Sequence, residues 1–242
     1  MLAYNLIKMK NINQNKKRNV TKVFNEVFSK YDVMNDLMSF GAHRIWKNRL
    51  MDWMAPKKSD HLIDVASGSG DIAKYFLKNT DYTGKVKCVE PNKYMLEVGK
   101  KKLKNSSNVK WYCSPAEKLP FSDEIFDIYV VSFGIRNFSD INQALKEAKR
   151  VLKIGGRFLC LEFSKVDNEI LAKFYQGYSK IIPYLGKYIV GKSEPYEYLV
   201  NSINSFYNQQ ELMDIIKSIG FEKTEYRDLS GGIASIHSGW KI

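Results

Sequence analysis

The chain has 242 residues and is 44% hydrophobic, enough to bury one sizeable core with some decoration and too little for two full domains. Thirty-eight Lys and Arg against 26 Asp and Glu leave a net charge of +12, which suits an anionic partner or surface (nucleic acid or a membrane leaflet) and equally a Lys-rich soluble surface. Cys88, Cys113 and Cys160 lie in strand-like apolar runs without metal-ligand spacing and read as reduced core residues; no disulfide framework or metal site is implied, and no apolar run approaches the roughly 18 residues of a membrane span.

The first 25 residues contain no acid but carry Lys8, Lys10, Lys16, Lys17, Arg18 and Lys22. Poor in Ser and Arg, they read as a disordered basic arm rather than an organelle-targeting segment. Val20, Val23, Phe24, Val27, Phe28 and Tyr31 recur at helical spacing, and Ile45, Trp46, Leu50, Trp53 and Met54 do so again. Between these two predicted helices, Tyr31 to Arg44 is dense in hydrogen-bonding and titratable groups. Caps through Asp32 and Asn35 account for part of it. Tyr31, Asp32, Asn35, Asp36 and His43 together exceed what one cap requires, so part of this segment is expected to close over a site.

Strand-like runs follow at Leu62 to Val65, Val86 to Glu90, Val109 to Tyr112, Phe126 to Phe133 and Phe158 to Phe163. Helix-like segments separate the first three, and another spans Ile141 to Leu152. This alternation predicts an α/β fold with a parallel sheet covered on both faces. Gly155-Gly156 is read as the turn into the fifth strand. Ala172 to Tyr207, Tyr-rich and broken by Pro183, Gly186, Gly191 and Pro195, suits an inserted helical cap. A last helix, Gln210 to Ile219, leads to Phe221–Tyr226 and Gly232–His237, a predicted antiparallel closing hairpin. Residues 1–55 thus form an arm and helices assigned to the substrate site, and 56–242 the main domain, with an insertion at about 165–207.

The most telling run is Leu62-Ile63-Asp64-Val65-Ala66-Ser67-Gly68-Ser69-Gly70-Asp71. A short apolar strand enters a turn of small residues, and a helix beginning near Ile72 aims its free N–H groups at the space beyond. Glu90, closing the second strand, stands where a dinucleotide fold places its ribose-binding acid. Small residues at Ala66, Gly68 and Gly70 depart from Gly-x-Gly-x-x-Gly. The form suits S-adenosylmethionine (SAM) better than NAD, because SAM has no pyrophosphate and its sulfonium and ammonium are stabilised by a nearby acid such as Asp64.

Ligands of such sheets bind outside the carboxyl ends of the strands. The third strand end supplies Pro115-Ala116, placed to lie along an adenine ring, and the fourth supplies Ser132, placed beside the methionine moiety; an ordinary loop and a local strand-end hydroxyl are the plainer readings. Arg136-Asn137 follows the fourth strand with no packing reason to do so. An ion pair explains it, as does stabilisation of a substrate oxyanion by Arg136 with Asn137 orienting the substrate. His43 is a candidate general base.

With these residues assembled, the chain resembles the UbiE-type ubiquinone/menaquinone biosynthesis C-methyltransferases, a class I SAM-dependent family, from about Val23 to the C-terminus. The resemblance is carried by Tyr31-Asp32-Val33-Met34-Asn35-Asp36 with Gly41 to Lys47, by Asp64 to Asp71, Ala116 to Phe121 and Phe133-Gly134-Ile135-Arg136-Asn137, and by Gly155-Gly156-Arg157 into Leu161 to Ser164 and Leu229 to Ile233. It implies a Rossmann-like class I methyltransferase fold with a mostly parallel seven-stranded sheet. Carried over by position, it implies SAM contacts at Ser69, Glu90, Ala116 and Ser132. Ser67 stands where the family usually has Gly, Glu90 where Asp is usual, and Pro115 where a polar side chain is common; lacking an N–H, Pro115 can offer adenine only its ring or its carbonyl.

The function implied is methyl transfer from SAM to a ring carbon of a reduced polyprenyl quinone precursor, a benzoquinol or demethylmenaquinol. Arg136 and Asn137 would stabilise the oxyanion and His43 or Tyr31 would take the proton, without a metal. The Tyr-rich segment from Phe174 to Tyr198 is expected to form a tail channel or membrane-facing lid. A peripheral position at the inner face of the cytoplasmic membrane, or the matrix in a eukaryote, follows, with a homodimer or quinone-synthesis complex as possible assemblies. Two alternatives are a SAM-dependent enzyme acting on RNA or another small aromatic substrate, and a non-catalytic SAM-binding subunit of such a complex. No aromatic-plus-basic stacking motif supports nucleic-acid binding.

Overall fold

The computed structural model describes residues 36, 39–166, 169, 177–178, 181–184, 187–188 and 193–242. Within them the chain runs α1 (His43–Met54), β1 (His61–Val65), α2 (Asp71–Asn79), β2 (Lys85–Val89), α3 (Lys93–Lys102), β3 (Val109–Tyr112), β4 (Phe126–Ser132), a 3-10 turn at Ile135–Asn137, α4 (Ile141–Val151), β5 (Leu152–Phe163), α5 (Glu194–Asn204), α6 (Gln209–Ser218), β6 (Glu222–Leu229), a 3-10 turn at Ser230–Gly232 and β7 (Ala234–Trp240). The helix read at Val20 to Tyr31, with Tyr31 itself, lies outside the described residues, as does part of the Tyr-rich segment.

Seven strands form one sheet in the order β3-β2-β1-β4-β5-β7-β6. The first five pair in parallel, while β7 inserts antiparallel between β5 and β6. Strand alternation sends Leu62 to one face and Ile63 and Val65 to the other, and helices seal both. Trp46, Leu50 and Met51 of α1 pack with Ile72, Ala73 and Phe76 of α2 on the first face; Ala144, Leu145 and Ala148 of α4 pack with Leu212 and Ile216 of α6 on the second. Local chemistry sets the helix starts. The Asn92 side chain accepts from the Tyr94 and Met95 N–H groups at the head of α3, and Asn208 and Glu211 form a capping box on α6. Ala55, left-handed at φ 47° and followed by Pro56, stops α1.

Two expectations are corrected. Gly155-Gly156 lie inside β5: that strand begins at Leu152, and its register against β4 shifts between Phe126–Leu152 and Ile128–Arg157, so the glycines form a bulge held to the C-terminus by Gly155 N–H donating to Lys241 O at 2.7 Å. Cys113 is exposed, because it follows β3, the edge strand of the sheet; Cys88 and Cys160, on inner strands, are buried and free.

Candidate active site

The sheet order makes the site inevitable. The chain winds outward from β1 to β2 and β3, then returns to β4 on the other side, so the carboxyl ends of β1 and β4 diverge at a switch point. Two non-glycine residues leave these ends with left-handed backbones, Ala66 at φ 54° and Phe133 at φ 55°, a strained conformation typical of functional turns. Gly134 sits against Ala66: a Cβ there would lie 2.6 Å from the Ala66 Cβ. Gly134→Ala is therefore expected to cost about 1–3 kcal/mol by overpacking, read by urea denaturation, with weaker donor binding as the Ala66 turn shifts. Gly70, at φ 82° and head of α2, has no such freedom either, since a Cβ would meet Trp111 at 2.9 Å.

An open cleft of about 360 Å³ lies at this point, lined among others by Asp64, Ala66, Gly68, Ser69, Ser132 and Phe133. Glu90 holds the turn from the side: its Oε2 accepts from the Gly68 N–H at 2.9 Å and its Oε1 from the Asn92 N–H at 2.8 Å. Burial pushes the Glu90 carboxyl up to about 7, against the stabilising pull of those two N–H groups. Asp64 lies deeper, on the α2 face of β1. Both its oxygens are buried without a side-chain partner among the described residues, as is the Ser132 hydroxyl, and burial pushes the Asp64 carboxyl well up, against the pull of the Ala73 N–H. Pro115 and Ala116 do not border this cleft. Ala116 is buried in the second-face core, and the Pro115 carbonyl accepts from the Lys118 N–H at 3.3 Å.

The buried polar atoms of Asp64 and Ser132 line the cleft without a side-chain partner among the described residues and fit a cationic amino-acid arm, while Glu90 stands behind the turn, holding the Gly68 and Asn92 N–H groups, and does not itself line the cleft. Residues 9–241 match the ubiE/COQ5 methyltransferase family. The chain belongs to that family. It is 48% identical to the ubiquinone/menaquinone biosynthesis C-methyltransferase UbiE of Ruegeria sp. over 92% of this chain and 90% of that one. It is likewise 48% identical to UbiE of Rickettsia bellii, over 96% and 97%. In fold it is similar to a SAM-dependent methyltransferase from Aquifex aeolicus, at 18% identity and a TM-score of 0.65, covering 89% of this chain and 97% of that one. As a ubiE/COQ5 family member it is a SAM-dependent C-methyltransferase.

In this family member Arg136 borders a different space, and Asn137 lines neither it nor the cleft. Arg136 lines a second cavity of about 780 Å³ with Ile141, Tyr198 and Phe206. Its Nη1 donates to Glu162 Oε1 at 2.5 Å and to the Phe133 carbonyl at 2.8 Å, while its buried Nε has no partner among the described residues. The ion pair is buried, its side chains 2% and 0% exposed. Burial raises the Glu162 carboxyl, with Arg136 opposing. Asn137 Oδ1 accepts from the Tyr198 hydroxyl at 3.0 Å, which ties the 3-10 turn to α5. Phe133 links the two cavities, since it lines the first cleft and its carbonyl accepts from Arg136, which lines the second.

His43 opens α1 and borders neither cavity. Its Nε2 lies 2.9 Å from Asp36 Oδ1. Asp36 is kept ionised mainly by Arg44, so Nε2 must carry the proton and Nδ1, buried and without a partner among the described residues, keeps its lone pair. Burial and the nearby Lys47 charge lower the His43 pKa. Sequence reasoning missed Lys47, Glu162, Tyr198 and Lys102. A signal existed for Lys47, which falls on the inward stripe of α1 between Trp46 and Leu50. None existed for the others, whose partners are distant in sequence.

Proposed function

We propose that this methyltransferase alkylates a ring carbon of a reduced polyprenyl quinone precursor, a benzoquinol or demethylmenaquinol. SAM, when bound, supplies a methyl group on a sulfonium leaving group. Arg136 carries the reading: it faces a separate cavity yet is held by the carbonyl of Phe133, which lines the donor cleft. A hydroquinone hydroxyl brought against the Arg136 guanidinium from the second cavity loses its proton more readily, and the phenolate pushes charge onto the ring carbon. Asn137, fixed by Tyr198, orients the ring. His43, neutral with a free Nδ1, receives the proton through an intervening water in this reading. That ring carbon would take the methyl group of bound SAM, which leaves as the neutral thioether; the ring C–H proton would pass to solvent, which restores aromaticity, and the phenolate would take back the proton held by His43. Holding both reactants in line contributes several kcal/mol.

A membrane surface is the source of such a substrate. Phe40 stacks on Tyr178 at 3.9 Å, and Ile181, Tyr184 and Tyr188 are exposed, Tyr188 at 92%. Beside a net charge of +12, these aromatics suit a surface lying on anionic lipid. No helix among the described residues is long and apolar enough to cross a membrane. Lipid extraction from a strain lacking this gene is the deciding experiment. Accumulation of an unmethylated prenyl quinol, reversed by the intact gene, is expected; an unchanged quinone profile would refute the assignment.

A further inference from the structure

We propose that Lys47 binds the carboxylate of the donor's amino-acid arm, completing a site in which the two ends of a zwitterion are held by opposite charges. The inference rests on the cleft being the SAM site. Lys47 projects from α1, outside the strand–helix framework, and lines that cleft with its side chain only 6% exposed. A buried ammonium needs more than one partner. Its Nζ donates to Asp71 Oδ2 at 2.7 Å, which uses one of its three protons.

Asp71 cannot neutralise Lys47 alone, because it also accepts from Lys102 of α3, whose ammonium lies 3.3 Å from Ser69 Oγ as well. Burial would raise the Asp71 carboxyl, but the two lysines together hold it well below the usual carboxylate range. Two ammonium groups on one carboxylate leave the wall of the cleft with one positive charge in excess. That charge stands at the head of α2, where the first N–H groups of the helix have no intrahelical acceptor. An anion is what this wall lacks.

The floor of the same cleft lacks a cation. Asp64 lines it, is 1% exposed, and neither of its carboxylate oxygens has a side-chain partner among the described residues, only the Ala73 N–H at the head of α2 acting on it as a donor. Lys47 is near enough to act electrostatically on Asp64, so wall and floor present opposite needs a short distance apart. An α-amino acid end, with carboxylate and ammonium on one carbon, satisfies both. A nicotinamide or a simple nucleoside satisfies neither.

Calorimetry on the full chain tests this with three ligands: SAM, decarboxylated SAM, which lacks only the carboxylate, and methylthioadenosine, which keeps adenine, ribose and sulfur but has no amino-acid arm. The wild-type protein is expected to prefer SAM over decarboxylated SAM by roughly 10- to 100-fold, the range for a charge-assisted hydrogen bond. In Lys47→Met that preference should collapse towards unity while methylthioadenosine affinity stays within about twofold; Lys47→Arg should keep most of it. A wild-type preference near unity overturns the assignment without recourse to any variant, as does a Lys47→Met protein that weakens all three ligands equally. Failure of the wild-type protein to take up SAM and methylthioadenosine alike would instead remove the donor reading of the cleft, and Lys47 with it.

Discussion

Glu90→Ala is expected to raise the dissociation constant for SAM by about 10- to 100-fold. Two ribose hydroxyls lose a charged acceptor, and the Gly68 and Asn92 N–H groups lose the carboxylate that fixes the turn. Wild-type affinity in that variant would show that Glu90 does not hold the ribose. A pH dependence follows from the same residue. Burial pushes its carboxyl up to about 7 in the folded protein against an ordinary value of 4.5, and a carboxylate that holds the ribose must be ionised to accept from both hydroxyls. Donor affinity should therefore fall as pH drops below about 7, approaching tenfold per pH unit, and should be flat there in Glu90→Gln.

Stability moves the other way. Between pH 4.5 and about 7 the folded chain holds a Glu90 proton that the unfolded chain has released, so the wild-type protein loses stability as pH rises through that window. The difference between Glu90→Gln and wild type should shift in favour of Gln by on the order of 3 kcal/mol from pH 4 to pH 8. Any constant cost of turning an amide NH2 towards Gly68 or Asn92 cancels from that shift. Urea denaturation of the two proteins at both pH values measures it.

Arg136→Ala is expected to abolish methyl transfer and also to destabilise the fold by about 3–5 kcal/mol. The variant leaves the Glu162 carboxylate buried with only backbone N–H partners, and an uncompensated buried charge is costly. The two consequences can be separated. Arg136→Met combined with Glu162→Gln removes the stranded charge, so denaturation should return towards wild type and SAM binding should persist, while turnover stays absent. Turnover restored along with stability would reduce Arg136 to a structural role.

Most of the sheet was legible because its signals are local. Runs such as Leu62 to Val65 and Phe126 to Ser132 are mainly apolar on both faces, as buried parallel strands must be, and helical patterns between most of the strands leave few ways to order them. The small-residue turn and the strand-end acid were readable for the same reason, since backbone permissiveness and charge at a strand end are written in residue type. The bulge at Gly155-Gly156 was not, because a pair of glycines serves a turn or an irregular strand equally well until the neighbouring strand fixes the register.

By itself, then, the sequence determined an α/β methyltransferase with a small-residue turn leaving β1 beside the end of β4, where the structure has a cleft. Only the tertiary structure decided what each charge does there. It committed Arg136 to Glu162, 26 positions away, paired His43 with Asp36, and brought Lys47 of α1 and Lys102 of α3 onto one carboxylate at the head of α2. Electrostatic partners act through space over a few ångströms while periodicity reports only which face a residue occupies, so which charges meet depended on how α1 and α3 pack around the first strand–helix unit.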